Sequence, residues 1–140
     1  MFKNILVPFD GSEQAVKALE IAVGFAKGER ARLKVLNVAE MVPVPGAPTA
    51  TIFLIDQGIS RMQELELKKA QYVIRRHGAK ADVIAERGHP ADSILRFAKR
   101  NKTDLIIMGH RGKSGLQRFL LGSVSDAVAH HAHCAVLIVR

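Results

Sequence analysis

Residues 105–112, Leu-Ile-Ile-Met-Gly-His-Arg-Gly, join an apolar run to two closely spaced glycines. The run has the composition of a buried strand, and glycine permits a tight turn directly after it. Further along, Gly122 and Ser123 complete the pattern G-x2-G-x9-G-S at a predicted helix start. Unpaired N–H groups at a helix start attract anions. The pattern therefore predicts a phosphate-binding turn at the end of a strand.

Four other apolar runs alternate with stretches of helical spacing. The five predicted strands are 2–7, 33–38, 81–86, 105–108 and 135–139. The predicted helices begin at Ser12, near Ile59, near Pro90 and at Ser123. Ser123 and Asp126 have the spacing of a capping box. Apolar strands that alternate with helices predict an α/β fold, with a parallel sheet covered on both faces.

Length, charge and cysteine content exclude several classes. A chain of 140 residues predicts one domain, 1–140, without a signal peptide or an apolar run of membrane-spanning length. The lone Cys134 excludes an intrachain disulfide and favours a reducing cytoplasm. The net charge of +8 permits contact with polyanions. However, the basic residues are dispersed over predicted helix faces without an aromatic cluster, which disfavours nucleic acid as the partner.

Two common nucleotide motifs fail on spacing. Gly112-Lys113-Ser114 resembles the end of a Walker A loop, but that motif needs a glycine where Ile107 stands. The dinucleotide fingerprint G-x-G-x-x-G is also absent after the first predicted strand. Neither motif fits the spacing, and a Walker-type NTPase is therefore disfavoured.

The chain resembles the universal stress protein family, in particular its ATP-binding, single-domain branch with the signature G-x2-G-x9-G-(S/T). The matching segments are 5–12, 88–91, 104–109 and 136–140. The resemblance implies a doubly wound five-stranded parallel sheet of order 3-2-1-4-5, adenine nucleotide alpha hydrolase-like, with helices on both faces. In that order the winding reverses between strands 1 and 4, which opens a crevice at their carboxyl ends.

The resemblance also implies an adenine-nucleotide site for ATP, ADP or AMP, with Mg²⁺ held mainly by the phosphates. Asp10 would accept hydrogen bonds from ribose hydroxyls; alternatively it caps the helix near Ser12. The main chain of Val38 would bind adenine, and Pro8 and Met108 would pack against base and sugar. The remaining expected nucleotide-binding residues are Gly109, Arg111, Gly112, Gly122, Ser123, Val124 and Ser125. Further candidates for neutralising phosphate charge are Lys113 and Arg118.

The stretch from Glu40 to Gln57 contains Pro43, Pro45 and Pro48 and predicts an extended surface loop. Within it, the 41–57 segment follows Val38 closely, which suggests a lid over the adenine pocket. The next predicted helix runs from about Ile59 to His77. Its expected inward residues are Met62, Leu65, Ala70, Val73 and Ile74.

The sequence suggests no arrangement of a nucleophile with a base and no cluster of carboxylates. It therefore does not predict an efficient enzyme. The expected function is a regulatory, stress-response binding module with at most slow ATP hydrolysis. The alternative is an interaction module that binds protein or nucleic acid, with the nucleotide pocket empty or secondary.

Two features near the C-terminus remain. The cluster His130, His131, His133 and Cys134 could bind a metal, but its place at a helix-to-strand junction favours a structural turn around an inert thiol. The resemblance implies a homodimer in which the fifth strands pair antiparallel. An apolar edge strand is suited to such pairing. The residues expected at the interface are Val136, Leu137, Ile138 and Val139.

Overall fold

A computed structural model describes residues 1–41, 43–112 and 121–140. Within these ranges the strands are β1 (Asn4–Pro8), β2 (Arg32–Ala39), β3 (Asp82–Arg87), β4 (Leu105–Gly109) and β5 (Ala135–Val139). The helices are α1 (Glu13–Glu29), α2 (Thr49–Arg76), α3 (Pro90–Arg100) and α4 (Ser123–His131). All neighbouring strands pair in parallel, in the order β3-β2-β1-β4-β5. The predicted α/β class and strand order are confirmed.

Side chains of the central strands alternate between two apolar layers. Ile5 and Val7 of β1 pack with α1 and α2, whereas Leu6 packs with α3 and α4. The same alternation places Leu105 and Ile107 of β4 in the first layer. Because successive strand residues point to opposite faces, an uninterrupted apolar strand serves both layers. The prediction of helices on both faces is therefore confirmed.

The central strands β1 and β4 separate towards their carboxyl ends. Their pairing covers Ile5 with Leu105 and Leu6 with Ile106, whereas β1 stays paired with β2 as far as Pro8 with Leu36. The winding direction of the chain reverses between these two strands. A crevice at the carboxyl end of the sheet follows from this topology.

The start of α2 corrects the predicted loop. Residues 49–57, expected to be part of an extended segment, form the first turns of the helix, whereas the described residues 43–48 before them are non-helical. Pro48 stands at the N-cap, where its missing N–H breaks no helical bond, and its carbonyl accepts from Ile52 N–H at 3.1 Å. Arg87 at the end of β3 also bonds to Asp56 and Ser60 of α2. Residue 42 lies outside the described residues.

The inward face of α2 differs partly from the prediction. Ala70, Val73 and Ile74 are buried as expected, whereas Met62 and Leu65 are 55% and 63% exposed. Polar residues face the sheet in that half of the helix. Their contacts are Gln63 Nε2 donating to Glu86 O at 3.0 Å, and Glu66 Oε2 accepting from Asn37 Nδ2 at 2.6 Å. Within the described ranges, α2 and the shorter helices all lack the combined length and apolarity of a membrane span.

The helix starts around the crevice were mostly predicted correctly. Ser12 caps α1, since its Oγ accepts from Ala15 N–H at 3.1 Å, and Pro90 occupies the first turn of α3. The prediction of a capping box at Ser123 is wrong. Gly122 is the N-cap of α4 and Ser123 is already helical, so the hydroxyl of Ser123 does not occupy the capping position.

Candidate functional site

A cavity of about 260 Å³ lies where the crevice opens at the carboxyl ends of the strands. This volume is close to the lower limit of about 300 Å³ for ligand pockets. The ends of β1, β2 and β4 and the first turns of α1, α3 and α4 line it. Every nucleotide-binding residue expected from the sequence lies on its wall: Pro8, Asp10, Val38, Met108, Gly109, Arg111, Gly112, Gly122, Ser123, Val124 and Ser125. The structure thus brings together residues that are far apart in the sequence, from Pro8 to Ser125. Their roles in binding stay predictions.

Phe9 also lines the cavity, between Pro8 and Asp10, and five further lining residues were not anticipated, namely Ser12, Ala15, Leu36, Pro90 and Ile94. Two signals could have identified several of them. Leu36 lies two residues before Val38, and strand alternation puts both on one face. Pro90 opens the helix after β3, and helix starts that follow parallel strands gather at the same end of the sheet.

One wall of the cavity is the turn after β1, which carries Asp10. Its Oδ1 accepts the Ser12 N–H at 3.0 Å, which agrees with the alternative interpretation that Asp10 helps to start α1. Its Oδ2 lies only 2.5 Å from the position that a Cβ would take at Gly112. Asp10 therefore lies against the opposite wall as well, and a side chain at Gly112 would require the Asp10 carboxylate to move.

The opposite wall is the glycine turn after β4. A Cβ at Gly109 would lie 2.7 Å from Gln14 Cβ and 3.0 Å from the Gln14 carbonyl carbon. A Cβ at Gly122 would lie 3.3 Å from Arg111 Cα. Real Cβ atoms rarely approach other atoms so closely, so these glycines allow three chain segments to meet. The sequence pattern suggested glycines for approach to a ligand; the structure shows that they also let the protein pack against itself.

His110 and Ser125 hold this wall together. The His110 N–H donates to Val139 O at 2.9 Å, and the His110 carbonyl accepts from Gly122 N–H at 2.7 Å and from Ser125 Oγ at 2.6 Å. Ser125 is 2% exposed. A hydroxyl has a single hydrogen, which Ser125 already donates within the wall. Its main-chain N–H, not its hydroxyl, is therefore the group suited to an anion.

The N-terminus of α4 differs from the other two helix starts at the cavity. Ser12 caps α1, and the His89 ring accepts from Asp92 N–H at the start of α3. For α4, no side chain within the described residues caps the first amides. The N–H groups of the first helical residues have no partner inside their helix. Among the described residues, Ser123, Val124 and Ser125 thus bring N–H groups without a side-chain cap to the cavity wall.

Charged side chains on the described cavity wall are Asp10 and Arg111. The Arg111 Nε–H donates to His110 Nε2 at 2.9 Å, which fixes the guanidinium beside the glycine turn. Because Nε2 accepts this bond, a neutral His110 carries its hydrogen on Nδ1. Within the described part of the chain that buried Nδ1 meets no hydrogen-bond partner. Lys113 and Arg118 lie outside the described residues.

The main chain of Val38 points into the crevice. Leu36 O accepts the Phe9 N–H on the β1 side at 2.9 Å, and Ala39 O accepts the Gly88 N–H on the β3 side at 3.0 Å. Along a strand, successive residues direct their N–H and C=O groups to alternate sides. Val38 therefore directs both groups to the β1 side, beyond Pro8, where β1 has ended.

The histidine cluster near the C-terminus does not converge on one point. His130 Nδ1 lies 2.9 Å from Asp126 O, and among the described residues no three His, Cys, Asp or Glu side chains form a group suited to a metal. Burial, with a smaller contribution from Asp104, raises the pKa of the Cys134 thiol. The thiolate, which is the nucleophile, is disfavoured, in agreement with the predicted inert thiol.

Comparisons with known proteins agree with this architecture. The model described as "Universal stress protein family" matches residues 1–140. Universal stress protein YxiE of Bacillus subtilis is 38% identical over 149 residues, which cover all of both chains. The structure of UspA from Lactobacillus plantarum superposes with a TM-score of 0.77 at 27% identity, covering 99% of this chain and 98% of that one. A universal stress protein in complex with cAMP gives a TM-score of 0.75 at 27% identity, with 99% and 97% coverage. The chain therefore belongs to the universal stress protein family.

Proposed function

We propose that residues 1–140 form one universal stress protein domain that binds an adenine nucleotide, ATP, ADP or AMP, in the cavity. It acts as a regulatory module of the stress response, with at most slow hydrolysis, in a reducing cytoplasm. The complex of a similar protein with cAMP supports the ligand class. The observation that carries the proposal is the N-terminus of α4, which no described side chain caps, in the wall of this cavity.

The apolar part of the cavity suits the base. Leu36, Ile94 and Met108 supply apolar surface, and Val38 directs one donor and one acceptor towards the crevice. Adenine presents the acceptor N1 beside the amino donor N6, which complements a main-chain N–H and C=O. Guanine presents a carbonyl and an N–H at the same positions, so its pattern is reversed. Val38 is therefore expected to favour ATP over GTP.

The glycine-lined part suits the sugar and phosphates. Asp10 accepts from ribose hydroxyls, and the N–H groups of Ser123, Val124 and Ser125 donate to phosphate oxygens. Gly109, Gly112 and Gly122 let the walls come close enough for these contacts, and Arg111 neutralises phosphate charge. Pro8 and Met108 pack against sugar and base. A Mg²⁺ ion would be held mainly by phosphate oxygens and water, as this ion prefers.

Substitution of Ser123 by proline tests the main-chain contact. Proline removes the N–H but suits the first position of a helix. Gly122, with φ −62° and ψ 154°, already has the extended conformation that precedes a proline. Because a hydrogen bond to a charged group contributes about 1.5–3 kcal/mol, we expect calorimetry to show roughly 10- to 100-fold weaker ATP binding.

Ser123→Ala is the matched control, since it removes the hydroxyl and keeps the N–H. We expect Ser123→Ala to bind ATP more tightly than Ser123→Pro does. We also expect the wild-type chain to bind GTP more weakly than ATP. Equal ATP affinity of the two variants would contradict anion binding by this helix start. Absence of any ATP binding to the wild-type chain would contradict the proposed function itself.

We further propose a homodimer through β5, formed by Val136, Leu137, Ile138 and Val139. The strand lies at the edge of the sheet, and Leu137 is 36% exposed. An apolar edge strand without charged side chains is suited to pair with a second copy. Light scattering should give twice the chain mass of 15.3 kDa, and Leu137→Lys should reduce it. A wild-type monomer at micromolar concentration would contradict this arrangement.

A second candidate function, an interaction module, is favoured by the surface at the start of α2. Ile52, Phe53 and Leu54 are large, apolar and exposed in successive positions. Such a patch is typical of a contact with another protein. A chain that binds no adenine nucleotide, but that loses a co-purified protein when Phe53→Ser is introduced, would support this function instead.

A further inference from the structure

Asn37 is a buried polar residue in the middle of β2. It is 1% exposed and faces the layer of α1 and α2, whereas its neighbours Leu36 and Val38 line the cavity on the other face. Its Nδ2 donates to the Phe9 carbonyl at 2.8 Å and to Glu66 Oε2 at 2.6 Å. A buried amide is destabilising unless it is hydrogen-bonded. Here its bonds fix the carbonyl directly before Asp10.

Helix α2 fixes the residue directly after Asp10. Lys69 Nζ donates to the Gly11 carbonyl at 2.7 Å. Gly11 has a φ of +80°, and Glu66 Cγ lies 3.1 Å from the position of a Cβ on it. The turn therefore packs directly on Glu66, and both carbonyls that flank Asp10 accept hydrogen bonds from side chains outside the cavity.

We propose that Asn37, Glu66 and Lys69 are positioning residues for Asp10. They fix the position of the Phe9–Gly11 turn relative to the sheet. The Asp10 carboxylate is thereby pre-organised on the side of the cavity that faces Gly112. Pre-organisation strengthens binding because the acceptor needs no ordering when the ligand arrives. This inference rests on the proposed function and assigns part of its ribose selectivity to residues that never touch the nucleotide.

Lys69 offers the cleanest test because its side chain bonds at the surface and its loss should leave the core intact. Lys69→Met removes the bond to Gly11, and Lys68→Met is the matched control. Lys68 pairs with Glu64 at 3.1 Å in an exposed position, and its substitution removes the same charge from the same helix. Binding of ATP and of 2′,3′-dideoxy-ATP is measured for each protein by calorimetry.

We expect Lys69→Met to bind ATP roughly three- to tenfold more weakly, as loss of one hydrogen bond implies. The dideoxy nucleotide lacks the hydroxyls that Asp10 would bind, so its affinity should stay unchanged. Lys68→Met should leave both affinities unchanged, and Lys69→Arg, which keeps a donor, should restore most ATP binding. The midpoints of urea unfolding of the two methionine variants should agree.

Other outcomes separate the inference from the proposed function. Equal weakening of ATP and dideoxy-ATP in Lys69→Met, or no weakening of either, would overturn the positioning role while nucleotide binding stands. Equal affinity of the wild-type chain for the two nucleotides would overturn the contact between Asp10 and ribose, and the positioning role with it. A wild-type chain that binds no ATP would overturn both proposals.

Discussion

Replacing Gly109 with alanine adds one methyl group at the point where β4 meets the first turn of α1. The new Cβ would lie 2.7 Å from Gln14 Cβ, 3.0 Å from the Gln14 carbonyl carbon and 3.3 Å from Arg111 O. Two of these atoms belong to the main chain, and Gln14 Cβ is fixed to it. Relief therefore requires α1 or the glycine turn to move, because no side-chain rotation removes the contact.

The expected magnitude follows from two opposing effects. Overpacking of a well-packed site destabilises a protein by about 1–3 kcal/mol. Gly109 does not have a positive φ, so alanine can adopt its backbone conformation. Alanine also reduces the conformational entropy of the unfolded chain, which stabilises the folded protein by about 0.4–1 kcal/mol. We expect Gly109→Ala to lower the free energy of unfolding by about 1.3 kcal/mol, the difference between the midpoints of these two ranges.

Gly24→Ala in α1 is the matched control. An added Cβ there meets no atom within 4 Å among the described residues, and alanine is favoured over glycine inside a helix by about 1 kcal/mol. Urea unfolding followed by circular dichroism should place the midpoint of Gly24→Ala above the wild type and that of Gly109→Ala below it. Adding Gln14→Ala to Gly109→Ala should not restore stability, since alanine keeps the Cβ. A Gly109→Ala protein as stable as the wild type would refute the packing argument.

Three further predictions concern other parts of the chain. Asp104 accepts two main-chain N–H groups at the start of β1, at 2.8 and 3.1 Å; Asp104→Ala should lower the free energy of unfolding by about 1–3 kcal/mol, and an unchanged urea midpoint would contradict this. Burial and Asp104 raise the pKa of Cys134. The rate of its alkylation by iodoacetamide should therefore increase with pH, with a midpoint at a higher pH than for a free thiol, and a midpoint at a lower pH would show an activated thiolate. Ser125→Ala should lower stability by about 1 kcal/mol, whereas Ser123→Ala should not, and equal unfolding midpoints would argue against the contact with His110.

The strands and their order were predictable because their residues carry strong local signals. The runs that became β1 and β4 are apolar at every position that faces either layer, and both end in turns with recognisable residues. Ser12 and Pro90 marked helix starts by the chemistry of their side chains. The resemblance then placed these elements in a sheet with a crevice, and the residues expected at the site followed from their position at strand ends.

The start of α2 and its inward face were not predictable in the same way. Thr51, Ile52 and Ile55 are β-branched and follow a proline run, which disfavours helix locally. Contacts from Arg87 at the end of β3 to Asp56 and Ser60 stabilise the first half of the helix nonetheless. Hydrophobic spacing also assigned Met62 and Leu65 to the interior, because a pattern of apolar residues cannot reveal that Gln63 and Glu66 face partners in the sheet.

The packing role of the glycines was equally hidden. Spacing alone indicated turns near a ligand, but it could not show that Gly109 lies against Gln14 or that Gly112 lies against Asp10. Both contacts join segments about a hundred residues apart in the sequence. The same long-range geometry places the hydroxyl of Ser125 on His110, away from an expected phosphate.

The central claim is that one adenine nucleotide lies between the turn after β1 and the start of α4. Titration of the ¹⁵N-labelled chain with ATP, followed by amide chemical shifts in NMR spectra, tests it most directly. We expect the largest shifts at Asp10, Val38, Gly112, Ser123 and Ser125, with much smaller shifts for the same amount of GTP. Absence of shifts, or shifts confined to the basic helix surfaces and the start of α2, would contradict the claim.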